Sequence, residues 1–242
     1  MQLTDYISTG YFITVPTNRP DFVDGTLMPQ SFVSLSSCFS DFFPGAWILE
    51  WCGTGETERT RIATLLGITP EQQQLAMAEL DEALDETFGW ENVIFDLDTA
   101  QQYRQRYFSP TSRAKIVGAA LHRDLCAEFV KVGTPPQPKP GESSVASHGT
   151  VHAVRRNVPP AAGGTILGFE PMTFDQQQLG CSWLCNGLER ICDKLHVVPN
   201  SRGYIDDEES AARCIDLIEA DETGAEPGLW MPWLLIEYPD PC

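Results

Sequence analysis

The sequence predicts an α+β (or irregular α/β) fold: a mixed sheet with packed helices and no doubly wound nucleotide-binding pattern. Three observations carry this. β-Branched and aromatic runs intermix with segments of helical periodicity in no regular order, so the repeating unit of a parallel α/β fold is missing. No internal repeat recurs along the chain. Hydrophobic residues make up 42% of the 242 residues and aromatics 10%, which is enough apolar material for a packed core.

The elements follow in order. Gly10 to Val15 is β-branched and aromatic and stops at Pro16, so it reads as a strand, followed by a Pro-, Asp- and Gly-rich loop over residues 16–30. Ala46 to Trp51, after the turn signal Pro44-Gly45, reads as a buried strand, and Glu56 to Leu66 as a short helix closed by Gly67. Thr69-Pro70-Glu71 is a helix start: Thr69 caps, Pro70 suits the first helical position, and Glu71 favours the positive end of the dipole. That helix is expected to run to Phe88, with Met77, Leu80, Leu84 and Phe88 on one face and Gly89 as its stop. Val93 to Leu97 reads as another buried strand. Ser112 is expected to cap a helix through Val132 whose apolar side is Ile116, Val117, Ala120, Leu121, Leu125 and Phe129.

Residues 134–149 are rich in Pro, Ser and Gly and read as a linker, mobile loop or lid. They divide the chain into an N-terminal α/β part (1–133) and a C-terminal α/β part (150–242), expected to form one compact unit. In the second part Thr150 to Val154 and Thr165 to Glu170 read as strands and Ser182 to Leu195 as helix. A helix begins at Asp206 with capping-box spacing to Glu209 and carries Ala211, Cys214, Ile215 and Ile218 as its apolar stripe. Gly224 to Gly228 reads as a turn and Trp233 to Tyr238 as a final strand.

Sixteen basic against 34 acidic residues give a net charge of −18. Residues 1–100 hold 16 acids and 3 bases, residues 101–160 hold 3 and 9, and residues 161–242 hold 15 and 4. Such a charge excludes a nucleic-acid backbone or an anionic membrane as the main partner. No window has the ~20 apolar residues of a membrane span. The start Met-Gln-Leu-Thr-Asp-Tyr lacks the basic and apolar regions of a signal peptide, so a cytoplasmic location is expected. The eight cysteines then read as reduced thiols of a reducing compartment.

Four constellations bear on chemistry. Cys181, Cys185, Cys192 and His196 would share one helix face, but 15 residues of helix span about 22 Å, too far for one metal ion. At most Cys181 with Cys185, or Cys192 with His196, could share a metal with help from elsewhere. No metal or cofactor is therefore expected, and the same holds for His122 with Cys126. Gln178-Leu179-Gly180-Cys181-Ser182-Trp183 has the flavour of a papain-like nucleophile segment, with His148 or His152 as base in a rearranged order. Gly53-Thr54-Gly55 follows a strand but lacks the Lys of a phosphate loop. Asp96 with Asp98, or Glu50 beside Trp51, could be posed as acid and base, yet acids are too abundant for the pairing to signify.

Leu167-Gly168-Phe169-Glu170, then Ser182-Trp183-Leu184-Cys185-Asn186-Gly187-Leu188, Pro199-Asn200, Gly203 with an acidic helix start, and Pro232-Trp233-Leu234 together carry a likeness. Over residues 165–238 the chain resembles bacterial immunity-type proteins, antidotes to polymorphic toxins. The resemblance brings no catalytic residue. It implies a cytoplasmic inhibitor that binds a partner protein, and acidity would suit a basic toxin domain.

The leading expectation is thus an acidic protein-binding module. Its contact residues are expected at Glu79, Glu82, Asp85 and Glu86, at Asp206, Asp207, Glu208 and Glu209, and at Trp230 as an exposed aromatic anchor. The alternative is a cysteine- or carboxylate-dependent hydrolase or transferase with its site between the two halves, using Cys181 and His152.

Overall fold

A computed structural model describes residues 1–39, 60, 64, 67–82, 92–134, 149–175, 178–220 and 227–240. Along the chain run β1 (Tyr6–Thr14), the short strands β2 (Thr17–Asn18) and β3 (Ser31–Phe32), and helices α1 (Pro70–Glu82) and α2 (Leu97–Tyr107). Then come β4 (Lys115–His122), helices α3 (Arg123–Gly133) and α4 (Thr150–Arg155), and the hairpin β5 (Thr165–Asp175) and β6 (Gln178–Ser182). Helices α5 (Leu188–Leu195) and α6 (Glu208–Glu219) and strand β7 (Leu229–Tyr238) complete it. β2 pairs with β3, and the other strands form one five-stranded sheet in the order β1-β4-β7-β5-β6. All pairings between the described strands are antiparallel. The molecule is α+β, with no doubly wound pattern.

Successive residues of a strand face opposite sides of a sheet. Here both sides are dry. Ile116 and Ala120 of β4 and Leu234 and Ile236 of β7 point into one core, closed by Tyr103 of α2, Ile191 of α5 and Ile215 of α6. Val117 and Leu121 of β4 and Trp233 and Leu235 of β7 point into the other, closed by Phe129 of α3 and Val151 and Val154 of α4. Trp233 is fully buried, donates its indole N–H to the Met172 carbonyl at 3.1 Å, and meets the Phe129 ring edge-on.

Register slips between Ser8 and Gly10 in β1 and between Ile166 and Gly168 in β5 mark bulges. Gly168 has φ +130°, and there Phe169 leaves room to exchange backbone hydrogen bonds with Ile205 at 2.7 and 3.0 Å. A Cβ at Gly168 would sit 2.7 Å from the Ile205 carbonyl oxygen.

Helix starts behave largely as their residues dictate. Thr69 and Gln72 cap α1 reciprocally. Asp96 caps α2 through the Thr99 amide, and Asp207, one residue later than expected, caps α6 through the Ser210 amide. The expected ends of the first helix at Phe88 and Gly89, with Leu84 and Phe88, lie outside the described residues. So do the strand at Ala46–Trp51, most of the helix at Glu56–Leu66, the loop at 135–148 and the side chains of Met77 and Leu80.

Four readings are corrected. Residues 112–132 are not one helix: 115–122 are strand β4, and helix begins at Arg123. Ile116, Val117, Ala120 and Leu121 fit helical spacing only because both faces of β4 are buried, which erases the alternation that marks a half-exposed strand. Thr150–Arg155 is a short helix, not a strand, docked by Val151 and Val154. Val93–Phe95 makes a single bridge, Ile94 to Tyr11, before Asp96 opens α2. Ser182–Leu195 is broken: Trp183–Cys185 is one 3-10 turn and Gly187, at φ +78°, separates it from α5.

Gly168→Ala is expected to cost about 2–4 kcal/mol, because backbone strain and a clash against a carbonyl act together. Urea unfolding measures this, and an unchanged midpoint would show that the bulge tolerates a side chain.

Candidate functional site

The segment after β3 runs along the free edge of β6 and is stitched to it by serines. The Ser37 amide donates to the Leu179 and Gly180 carbonyls, and the Ser36 hydroxyl donates to the Gly180 carbonyl at 2.7 Å. Ser36 Oγ also accepts from the Cys38 amide at 3.2 Å, which turns Cys38 back toward the sheet. On β6 the Cys181 amide donates to Thr173 Oγ1 at 2.7 Å. Gly180 is required there, since a Cβ would lie 2.4 Å from that oxygen. The turn that follows is anchored by fully buried Trp183 and by the Asn186 side-chain amide donating to the Ser182 carbonyl, and it presents Cys185.

The result is a cluster of three thiols. The Sγ atoms of Cys38, Cys181 and Cys185 all lie within 4.8 Å of one another, and those of Cys38 and Cys181 are 3.2 Å apart. Cys38 and Cys185 are exposed and Cys181 is half-buried. Partial burial raises the Cys185 pKa, with the neighbouring Cys38 adding to it, while the Ser182 amide favours the thiolate. Among the described residues this is the one group of three His, Cys, Asp or Glu side chains with metal-ligating spacing.

On the neighbouring strand β5, Glu170 is 1% exposed. Its Oε1 accepts the Ser34 hydroxyl at 2.7 Å. Burial pushes its pKa up to about 7, and hydrogen bonding from Ser34, Ser182 and the Leu35 backbone offsets this only in part.

The expected hydrolase pair does not assemble. Cys181 lies on β6, whereas His152 lies on α4 beside β1, its ring 4.9 Å from that of Phe95. β1 and β6 are opposite edges of the sheet, separated by four strand spacings or roughly 19 Å. Cys192 is buried in the core, while His196 sits exposed at the C-cap of α5 with φ 53°, and neither belongs to a group of three metal-ligating side chains among the described residues. His122 Nδ1 caps α3 and Cys126 donates to the His122 carbonyl. Asp96 directs both oxygens to Thr99. Glu50, His148 and the Gly53–Gly55 segment lie outside the described residues. Two cavities of about 400 Å³ open on the described surface, one beside Asp96 and Asp98 and one beside Arg113, Lys115 and Arg202. Neither is lined by a cysteine or histidine.

Of the six expected contact acids among the described residues, four have local partners. Glu79 accepts from Arg106 at 2.5 Å and from the Tyr107 hydroxyl. Asp206 accepts from Asn200 and Asp207 caps α6. Glu208 accepts from the Tyr6 hydroxyl at 2.7 Å. Glu82 and Glu209 are exposed. Asp85 and Glu86 lie outside the described residues. Trp230 is no exposed anchor: it is 5% exposed, because β7 pairs it with Thr173 in the body of the sheet. Among the described residues the large exposed aromatic is Phe22, at 69%, in the loop Asp21–Asp24. The Asp24 amide donates to the Glu189 carboxylate at 3.2 Å, which seats this loop on the start of α5. Among the described residues no helix is long and apolar enough to cross a membrane.

Glu170 gives a pH dependence with a definite sign. Its folded pKa of about 7 exceeds the ordinary 4.5, so the folded state holds the proton more tightly than the unfolded chain. Stability is therefore fullest below pH ~4.5 and falls by about 3 kcal/mol as pH rises to ~7. Glu170→Gln is expected to flatten that decline in urea unfolding across this range, and an unaltered slope would assign it to other groups. No protein-family model, curated protein or solved structure matches the chain.

Proposed function

We propose that this chain is an acidic protein-binding module and, in the finer form of the reading, an immunity-type inhibitor that neutralises a basic partner toxin by tight complex formation. The observation that carries the reading is Phe22, exposed to 69% and set between Asp21 and Asp24 beside Glu189. An aromatic ring kept in water within a rim of carboxylates suits a partner that offers an apolar pocket bordered by Lys and Arg. Aromatic anchors supply much of the affinity of such contacts, and the rim charges speed and orient the encounter. α5 packs against α6, and residues 188–219 contribute eight acids against four bases, so the negative field continues beyond the loop. Asp206, Asp207, Glu208 and Glu209 belong to that field even where they also cap or brace the structure. The likeness of residues 165–238 to immunity-type proteins supports the inhibitor form.

With the full chain as bait, a pull-down from its native host is expected to recover a basic protein whose binding weakens as salt rises. Phe22→Ala is expected to weaken that complex by about 2 kcal/mol, roughly 30-fold, with an unchanged unfolding midpoint. An acidic partner, indifference to salt, or full binding by Phe22→Ala would overturn the reading.

A further inference from the structure

We infer that Cys38, Cys181 and Cys185 form a thiolate site for a single Zn²⁺ ion. Three features of the cluster fit that ion. A tetrahedral zinc holds sulfur at ~2.3 Å, which places pairs of ligand sulfurs about 3.8 Å apart. The three Sγ atoms already lie within 4.8 Å of one another, so closing on an ion needs side-chain rotation and no movement of the sheet. The ligands come from independent, braced pieces of backbone: Cys38 from the serine-stitched strap, Cys181 from β6, and Cys185 from the turn anchored by Trp183. Such bracing fixes ligand orientation before metal arrives.

A disulfide between Cys38 and Cys181 is the competing use of these atoms. Their 3.2 Å separation is a contact between thiols, well beyond the ~2.05 Å of an S–S bond. A disulfide would also leave Cys185 without a role, whereas zinc uses all three. Binding replaces three S–H bonds with three Zn–S bonds and releases up to three protons, so affinity rises with pH. Among the described residues no fourth His, Cys, Asp or Glu joins the group, so the three thiolates leave a fourth tetrahedral position. Sites with three protein ligands and an open position hold water or a substrate atom there.

The test is cobalt titration of the reduced full-length chain under anaerobic conditions, since Co²⁺ occupies tetrahedral thiolate sites and reports on them by absorption. One equivalent is expected to give thiolate-to-cobalt charge transfer in the near ultraviolet and the intense visible bands of tetrahedral cobalt. One equivalent of Zn²⁺ is expected to bleach both. Cys38→Ser and Cys185→Ser are expected to weaken cobalt binding by more than about 100-fold, beyond the range of outer-shell changes. Cys126→Ser, which replaces a thiol on α3 outside the cluster, is expected to leave the spectrum unchanged. The unfolding midpoint of each variant confirms that it is folded. Weak octahedral cobalt bands, a spectrum that survives Cys38→Ser and Cys185→Ser, or oxidation of Cys38 with Cys181 in the presence of zinc would each overturn the assignment.

Discussion

The double-faced burial of β7 is the constraint on which the rest of the fold depends. Leu234, Leu235 and Ile236 are fully buried, yet they point alternately into two different cores. A strand in that position has no side for water, so helices must cover both faces of the sheet. α2, α5 and α6 serve one face and α3 and α4 the other. The antiparallel pairing of β7 with both β4 and β5 then fixes where the β5–β6 hairpin lies, and with it the outer edge on which the cysteine-bearing strap is laid.

That arrangement decides what the sequence could disclose. β1, β5 and β7 were readable because aromatic and β-branched runs end at turn-forming residues. β4 was not, because a strand buried on both sides carries no alternation, and Ile116, Val117, Ala120 and Leu121 satisfy helical spacing equally well. The short α4 was hidden by Val151 and Val154, whose local preference for strand is overruled by their docking against the sheet. The caps at Thr69, Asp96 and Asp207 follow from side-chain chemistry alone, and two of the three could be placed to within one residue from sequence.

The site was less legible than the fold, for a related reason. Spacing arguments compare residues on one element, and on one helix Cys181, Cys185, Cys192 and His196 cannot converge. Asn186-Gly187 was the signal that this stretch is no single helix. Cys38 comes from far along the chain, and no local pattern ties it to Cys181. Phe22 takes the place expected of Trp230 as the exposed ring: both stand beside turn residues, and only strand pairing shows Trp230 to be buried. The acidity likewise divides once partners are known. Glu79, Asp206, Asp207 and Glu208 make hydrogen bonds that brace the structure, Asp206 and Asp207 while exposed, and Asp21, Glu82 and Glu209 are exposed as well.

The central place of β7 also bears on how the molecule forms. Its partner residues in β4 lie more than a hundred positions earlier, as in the pairing of Ala120 with Leu234. Non-local antiparallel pairing of this kind closes long loops before contacts can offset their entropy, which sets a slow folding rate. Until β7 is inserted, β1 and β4 form a ribbon whose inner edge presents unpaired backbone groups and apolar side chains. During synthesis that edge waits while the intervening segment emerges, at rates of roughly 5–20 residues per second, so several seconds of exposure are built into the topology. The same strand order that leaves no face of β7 to water in the finished sheet thus leaves the β4 edge unpaired until the last strand of the chain has been made.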